Sequence, residues 1–377
     1  MLNNPFKNKH ISALGFGAMR LPIIDSVNAN IDQAQTDAMV AYAIENGVNY
    51  FDTAWGYHDG NSETAIGKAL SAYPRNSFYL ADKFPGYDVK NMDKVEEIFE
   101  EQLKRCGVDY FDFYLIHNVC EMNIDAYLNP DYAILDYLVE QKKNGRIKHF
   151  GFSAHGSVTI IARFLEMYGG AMEFCQLQIN WLDWEFQDAR KKAELAAEHN
   201  LPLIVMEPLR GGKLVNVSDD DKQALTNIRP NETTVSMAFR FVQSLPNVIT
   251  TLSGMSNLEQ LADNISIFCE DKPLSDDEMK AILTLGKEMT VRAGVPCTEC
   301  RYCTAHCPQR LDIPHLLSLY NEYSFTGGGF LAPMAVKSLP EEERPDACIQ
   351  CRACEAVCPQ QIAISDTLYE FAEKLKG

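Results

Sequence analysis

Short β-rich runs recur about every 30 residues over the first 270 or so, and each is followed by a stretch of helical periodicity. The runs end near Gly17, Thr53, Lys83, His117, Ser153, Asn180, Met206 and Ser253, and they include VNYFDTA, SFYLADK, YFDFYLIH, IKHFGFS, EFCQLQIN and LPLIVME. Most are almost continuously apolar, the pattern of strands covered on both faces and therefore of a parallel sheet. Helical spacing of apolar residues marks Val95–Cys106, Ala133–Lys143 and Thr234–Ser244 between them. Asn46-Gly47, Asn144-Gly145, Gly169-Gly170 and Asn200 before Leu201-Pro202 punctuate the joins. Eight such units in about 270 residues match an α/β fold of the closed (β/α)8, or TIM, barrel type, with an open doubly wound sheet as the structural alternative.

The cysteines divide the chain in two. Of twelve, Cys106, Cys120, Cys175 and Cys269 are scattered through the first 296 residues, and the other eight fall within Cys297–Cys358. We read a barrel over 1–285 and a small cysteine-rich α-helical domain over 286–377. The net charge of -18 comes from 34 basic against 52 acidic residues, with no basic run to offset it, which argues against a nucleic-acid partner. The start, MLNNPFKNKH, has no apolar h-region, and no uninterrupted apolar stretch approaches 18 residues, so no membrane span is expected. We expect a cytoplasmic protein, where dense cysteines point to metal or redox chemistry before disulfides.

In a barrel the chemistry gathers at the carboxyl ends of the strands, which singles out Asp52, Lys83, His117, Ser153 and Asn180. Residues 47–70 read GVNYFDTAWGYHDGNSETAIGKAL, the next strand ends LADKF and the fourth ends YLIHN. This ordered set resembles the aldo-keto reductase superfamily, over about Ile11 to Ile267. The resemblance implies a nicotinamide-dependent oxidoreductase that reduces an aldehyde or ketone, or oxidises an alcohol, by hydride transfer. It casts Tyr57 as general acid in reduction and base in oxidation, Lys83 as its tuner, Asp52 as the anchor of Lys83, and His117 as the group that positions the substrate oxygen. The residue types suit those roles. A free tyrosine holds its proton to a pKa near 10, a neighbouring ammonium lowers that value, and a carboxylate keeps the ammonium charged.

The same resemblance implies cofactor contacts, to NADPH or NADH. Ser153 and Gln176 would hold the carboxamide, with Asn180 nearby, although the Asn usual after that serine is Ala154 here. Met206 stands where many members stack an aromatic on the nicotinamide. Arg210, Gly211 and Gly212 lie where the pyrophosphate would pass, and Gly254, Ser256, Asn257, Gln260 and Asn264 would take the adenosine end. That last stretch lacks the Lys or Arg of members committed to NADPH, so the choice of dinucleotide stays open. An early GFGAMR does not complete a GxGxxG motif, and we read its Met19 and Arg20 as first-strand backbone near the cofactor. The Gly- and Asp-rich insertion from Leu209 to Asn231 is either a lid or a solvated acidic loop.

Cys297, Cys300, Cys303 and Cys307 are spaced C-x2-C-x2-C-x3-C before Pro308, and Cys348, Cys351, Cys354 and Cys358 repeat that spacing before Pro359. Zinc prefers two separated pairs around one ion, so the triple fits it poorly. The runs resemble the bacterial ferredoxin signature of two [4Fe-4S] clusters, in which the fourth cysteine crosses to the other cluster. That assigns Cys297, Cys300, Cys303 and Cys358 to one cluster and Cys348, Cys351, Cys354 and Cys307 to the other. Helical flanks (IPHLLSLYNEY, SDTLYEFAEKL) and the long gap between the runs resemble the α-helical ferredoxin type. The remaining four cysteines read as core, with Cys120 notable for following His117 by three residues. Partners would be a small carbonyl or alcohol and, through the clusters, a redox protein. A second reading is a redox-sensing, regulatory or electron-transfer subunit that binds the dinucleotide with little turnover.

Overall fold

The computed structural model describes residues 1–376, in two compact units divided after Ile282, within helix Asp276–Ala293. The first unit opens with an antiparallel hairpin, β1 (Asn3–Phe6) and β2 (Lys9–Ser12). Eight parallel strands follow: β3 (Leu14–Gly17), β4 (Tyr50–Asp52), β5 (Tyr79–Phe84), β6 (Phe111–Val119), β7 (Ile147–Ala154), β8 (Cys175–Gln178), β9 (Leu203–Met206) and β10 (Val248–Gly254). They pair in sequence order and β10 closes on β3, so the sheet is a barrel and not an open wound sheet. Inward side chains such as Tyr50, Phe113, Leu115, Phe174 and Ile204 fill its interior. The helices expected at Val95, Ala133 and Thr234 run over Val95–Cys106, Ile134–Lys143 and Thr234–Gln243.

The hairpin has no counterpart in the sequence reading. Its Phe6 packs on Phe113 (centroids 5.4 Å), His149 (4.9 Å) and Phe174 (6.3 Å), residues that begin β6 and β7 or precede β8, and so covers the amino end of the barrel. Glu173 fastens this end, since its carboxylate accepts from Lys7 Nζ (2.7 Å), Lys142 Nζ (2.7 Å) and His149 Nδ1 (2.8 Å).

The insertion after β9 differs from the open-loop reading. It contains a helix, Asp219–Ile228, capped by Ser218 Oγ, which accepts from Asp221 N–H. Asp219, Asp220 and Asp221 occupy the first turn, where negative charge meets the positive end of the helix dipole. Residues that disfavour a helix interior favour its start, which is why composition alone pointed to a loop.

The second unit is helical among its described residues, with Ile313–Thr326, Leu331–Ser338 and Ile364–Leu375. It contains an internal repeat in which each element follows its counterpart by 51 positions, as Cys348 follows Cys297 and Ile364 follows Ile313. Positive φ angles recur at matching places, at Glu299, Arg301 and Arg310 and again at Gln350, Arg352 and Gln361. Leu311, Leu316, Leu317, Ile362 and Leu368 form a small core against Cys303 and Cys354.

Candidate active site

Neighbouring strand ends bring the charged groups together. Asp52 is the last residue of β4 and pairs in register with Ala81, which leaves Lys83 one pleat further along β5 on the same face. Lys83 is wholly buried, and its Nζ donates to Asp52 Oδ1 at 2.6 Å and to the Thr53 carbonyl at 2.7 Å. The same Nζ lies 5.1 Å from the centroid of the Tyr57 ring, which enters from the loop after β4. His117 meets that ring edge to face, with centroids 6.2 Å apart and planes at 82°. The pairing of β6 with β7 shifts register between Ile116 and Val119, and Asn118 takes φ 57°. This local irregularity aims His117, as bulges commonly do at strand ends. The Tyr127 hydroxyl donates to the His117 carbonyl at 2.6 Å and secures the backbone.

The electrostatics differ from expectation at one point. Lys83 does pull the Tyr57 phenol down, but burial pushes it up more strongly and Asp52 adds to that, so the net direction is above 10.0. Asp52 offsets part of the field of Lys83, and burial, the largest contribution, sets the net direction. Asp52 and Tyr57 in turn hold the ammonium in its charged form, against the cost of burying it. Burial, Lys83 and His155 push His117 well below the usual imidazole range, so it is a neutral hydrogen-bonding group.

A buried polar layer behind Lys83 escaped the sequence reading. Gln102 Nε2 donates to the Lys83 carbonyl and to Glu63 Oε1, both at 3.0 Å, while Tyr114 Oη donates to Gln102 Oε1 at 2.6 Å. Arg105 adds a bond to Glu63 Oε2 at 2.9 Å. Charged residues inside the apolar run LADKF were the available signal, since a buried carboxylate such as Asp82 must find partners.

The residues read as cofactor contacts fall into three groups. Gln176 is buried, its Nε2 donates to Met206 Sδ at 3.5 Å, and its Oε1 has no partner among the described residues. Ser153 Oγ accepts from Asn118 N–H at 2.8 Å, which leaves its hydroxyl proton available. The second group gathers around Arg20. Its exposed side chain lies against Gly254, where a Cβ would come within 3.1 Å of Arg20 Cδ, and against Gly211, where a Cβ would come within 3.3 Å of a guanidinium nitrogen. Ser256 Oγ donates to the Arg20 carbonyl at 3.0 Å, and Met19 beside it is exposed. Gly212, at φ 94°, leaves open space where a Cβ would point.

The third group makes its hydrogen bonds within the protein. Arg210 is buried, with Nε 2.9 Å from Asp183 Oδ1, so the guanidinium that faces the glycines is that of Arg20 and not the one expected. Asn180 donates to Asp183 Oδ2 at 2.7 Å and to the Glu207 carbonyl at 3.1 Å. Asn257 and Gln260 cap the helix Leu258–Phe268, and Asn264 is buried on Ser253 Oγ at 3.1 Å. The orphaned Gln176 oxygen and the glycine-floored guanidinium together fit a dinucleotide, amide at one end and phosphate at the other.

In the second unit the cysteines surround two cavities. Cys297, Cys300, Cys303 and Cys358 line one, and Cys307, Cys348, Cys351 and Cys354 line the other. Among the described residues no three His, Cys, Asp or Glu side chains stand close enough to share a single metal ion. Four cysteines lining each cavity match the four corners of a multi-iron cube.

Each half matches a family model. The family model described as Aldo/keto reductase family matches residues 13–287, and that described as 4Fe-4S dicluster domain matches residues 296–363. An aldo-keto reductase of Mycobacterium avium is 26% identical over 270 residues, covering 70% of this chain and 85% of its own length. An NADH-specific methylglyoxal reductase of Escherichia coli is 24% identical over 228 residues, covering 56% and 68%. Among solved structures, an aldo-keto reductase from Bacillus halodurans in its holo form superposes with TM-score 0.62 at 23% identity, over 76% of this chain and 96% of that one. One from Klebsiella pneumoniae in complex with NADPH gives TM-score 0.60 at 19% identity, over 76% and 95%; at such identities the likeness is one of fold. With its barrel matched end to end, the chain belongs to the aldo/keto reductase family of oxidoreductases and carries a 4Fe-4S dicluster domain at its C-terminal side.

Proposed function

We propose that the protein is an NAD(P)H-dependent carbonyl reductase, acting on a small aldehyde or ketone and reversibly on the alcohol. The convergence of Tyr57, Lys83 and His117 on one spot at the carboxyl end of the barrel carries this reading. A bound reduced nicotinamide supplies the hydride that adds to the carbonyl carbon. Gln176 Oε1 and the Ser153 hydroxyl would hold its amide, and Arg20, beside Gly211 and Gly254, would hold its phosphates. His117, neutral, donates to the substrate oxygen and fixes its position. Tyr57 then passes its phenolic proton to that oxygen as negative charge develops there, and Lys83 stabilises the phenolate left behind.

Two [4Fe-4S] clusters, held by Cys297, Cys300, Cys303 with Cys358 and by Cys348, Cys351, Cys354 with Cys307, complete the reading. A hydride carries two electrons and each cubane passes one, so we assign the clusters to a separate exchange with a redox partner. Thiolate ligands of this kind suit a reducing cytoplasm. The reading is tested by assaying reconstituted protein with NADH and NADPH against a panel of aldehydes and ketones. Turnover that disappears in Tyr57→Phe supports it; a Tyr57→Phe variant as active as the parent would overturn it.

A further inference from the structure

Tyr87 stands on the loop after β5, and its ring meets the His117 imidazole edge to face, with centroids 5.2 Å apart and planes at 90°. Tyr57 meets the same imidazole at 6.2 Å, so His117 is flanked by two phenols. Two glycines hold Tyr87 in place. Gly86 lies so close to the Tyr127 ring that a Cβ would collide with it, and Tyr127 is the residue that secures the His117 carbonyl. Gly56, the neighbour of Tyr57, lies against Tyr87 Oη with no room for a Cβ. The hydroxyl end of Tyr87 therefore reaches the backbone beside the proton donor.

Tyr87 is 36% exposed, and its hydroxyl takes no hydrogen bond from or to a group of the protein among the described residues. Burial and the neighbouring Tyr57 push its phenol up to about 12, so it keeps its proton throughout the neutral range. A phenylalanine would pack on His117 equally well. What tyrosine adds is a donor whose oxygen lies against Gly56, next to the proton donor Tyr57, and which has no partner among the described residues.

We infer that Tyr87 determines specificity, its hydroxyl donating to a second oxygen next to the reacting carbonyl and so selecting α-oxygenated carbonyl compounds. The inference rests on the reductase reading, in which Tyr57 serves the reacting oxygen and Tyr87 the adjacent one. A site that offers a hydrogen bond discriminates against an analogue with a methyl in that place, because the donor is then desolvated without a partner. One such bond is worth about tenfold.

The test uses the full chain with reconstituted clusters and a panel of 2-hydroxy ketones, each paired with the alkanone of the same shape, such as hydroxyacetone with butanone. The readout is the ratio of kcat/KM within each pair, which cancels the intrinsic reactivity of either carbonyl when parent and Tyr87→Phe are compared. We expect that ratio to fall about tenfold in Tyr87→Phe, while Tyr87→Ala, which also removes the ring from His117, lowers both members. A ratio within twofold of the parent in Tyr87→Phe, or a parent that reduces alkanones only, overturns the role of Tyr87 and leaves the reductase reading standing. A parent that reduces no carbonyl with either dinucleotide overturns the reductase reading itself, and the inference with it.

Discussion

Lys83 Nζ lies 2.6 Å from Asp52 Oδ1 in a place that water does not reach, with the two side chains 0% and 3% exposed. Each charge is tolerable there because of the other. In Asp52→Asn the ammonium stays buried without its counter-charge, at a cost of about 3–5 kcal/mol. Urea unfolding should record that loss, together with a fall in carbonyl reduction. A variant as stable as the parent would show that the pair is not ionised.

The pH dependence should follow Tyr57. Its phenol lies above 10.0 through burial, with Lys83 opposing. Reduction needs the phenol protonated, so kcat/KM should be level through neutral pH and decline only in strong alkali. Alcohol oxidation needs the phenolate and should climb with pH. Lys83→Met removes the opposing charge and should move both limbs to higher pH, with a rate loss of about 10²–10⁴. Profiles that shift to lower pH would contradict the assignment of Lys83.

The amino end of the barrel should be sensitive to acid through Glu173. Bonds from Lys7, Lys142 and His149 hold its carboxyl far below the ordinary 4.5. A carboxyl depressed in the folded state contributes stability above its unfolded pKa, and that contribution is lost as pH falls towards the folded value. Glu173→Gln should therefore cost about 1.5–3 kcal/mol at pH 7. Below about pH 4 the difference from the parent should shrink. A gap that is constant from pH 7 to pH 3, measured by denaturant titration, would rule this out.

Cluster ligation makes a distinctive spectroscopic prediction. Cys358 lines the cavity of Cys297, Cys300 and Cys303, although it follows Cys354 in sequence. Reconstituted protein should bind about eight iron atoms and eight sulfides. Cys358→Ser should alter the same electron paramagnetic resonance signal as Cys300→Ser, while Cys351→Ser alters the other. If Cys358→Ser and Cys351→Ser affect one signal, the ligands do not cross.

The eightfold alternation of strand and helix was legible because both periodicities are local, and each apolar run carries its burial on its face. Asp52, Lys83 and His117 were legible for a related reason: polar residues that end apolar strands stand out, and barrel closure sends them to one rim, whereas Tyr57, in the loop after β4, was singled out only by the family resemblance. The spacing of the two cysteine runs was as clear, since a cubane's ligands lie on short loops. Arg20 and Arg210 mark the limit. Arg210 is the one followed by glycines in the sequence, yet the fold buries it on Asp183 and turns Arg20 outward over Gly211 and Gly254.

The same holds for the Gln102–Glu63 layer behind Lys83, for the hairpin whose Phe6 covers the barrel floor, and for Tyr87 against His117. Each joins residues far apart in the chain, through packing that no local pattern encodes. The direction of the Tyr57 phenol belongs with them, because neighbouring charge alone predicts a fall and burial reverses it. Sequence by itself determined the eight barrel strands, their succession and the chemical types at their ends. Tertiary structure decided which of those groups are desolvated, paired or left open to a substrate, because desolvation depends on everything packed around a group and not on its neighbours along the chain.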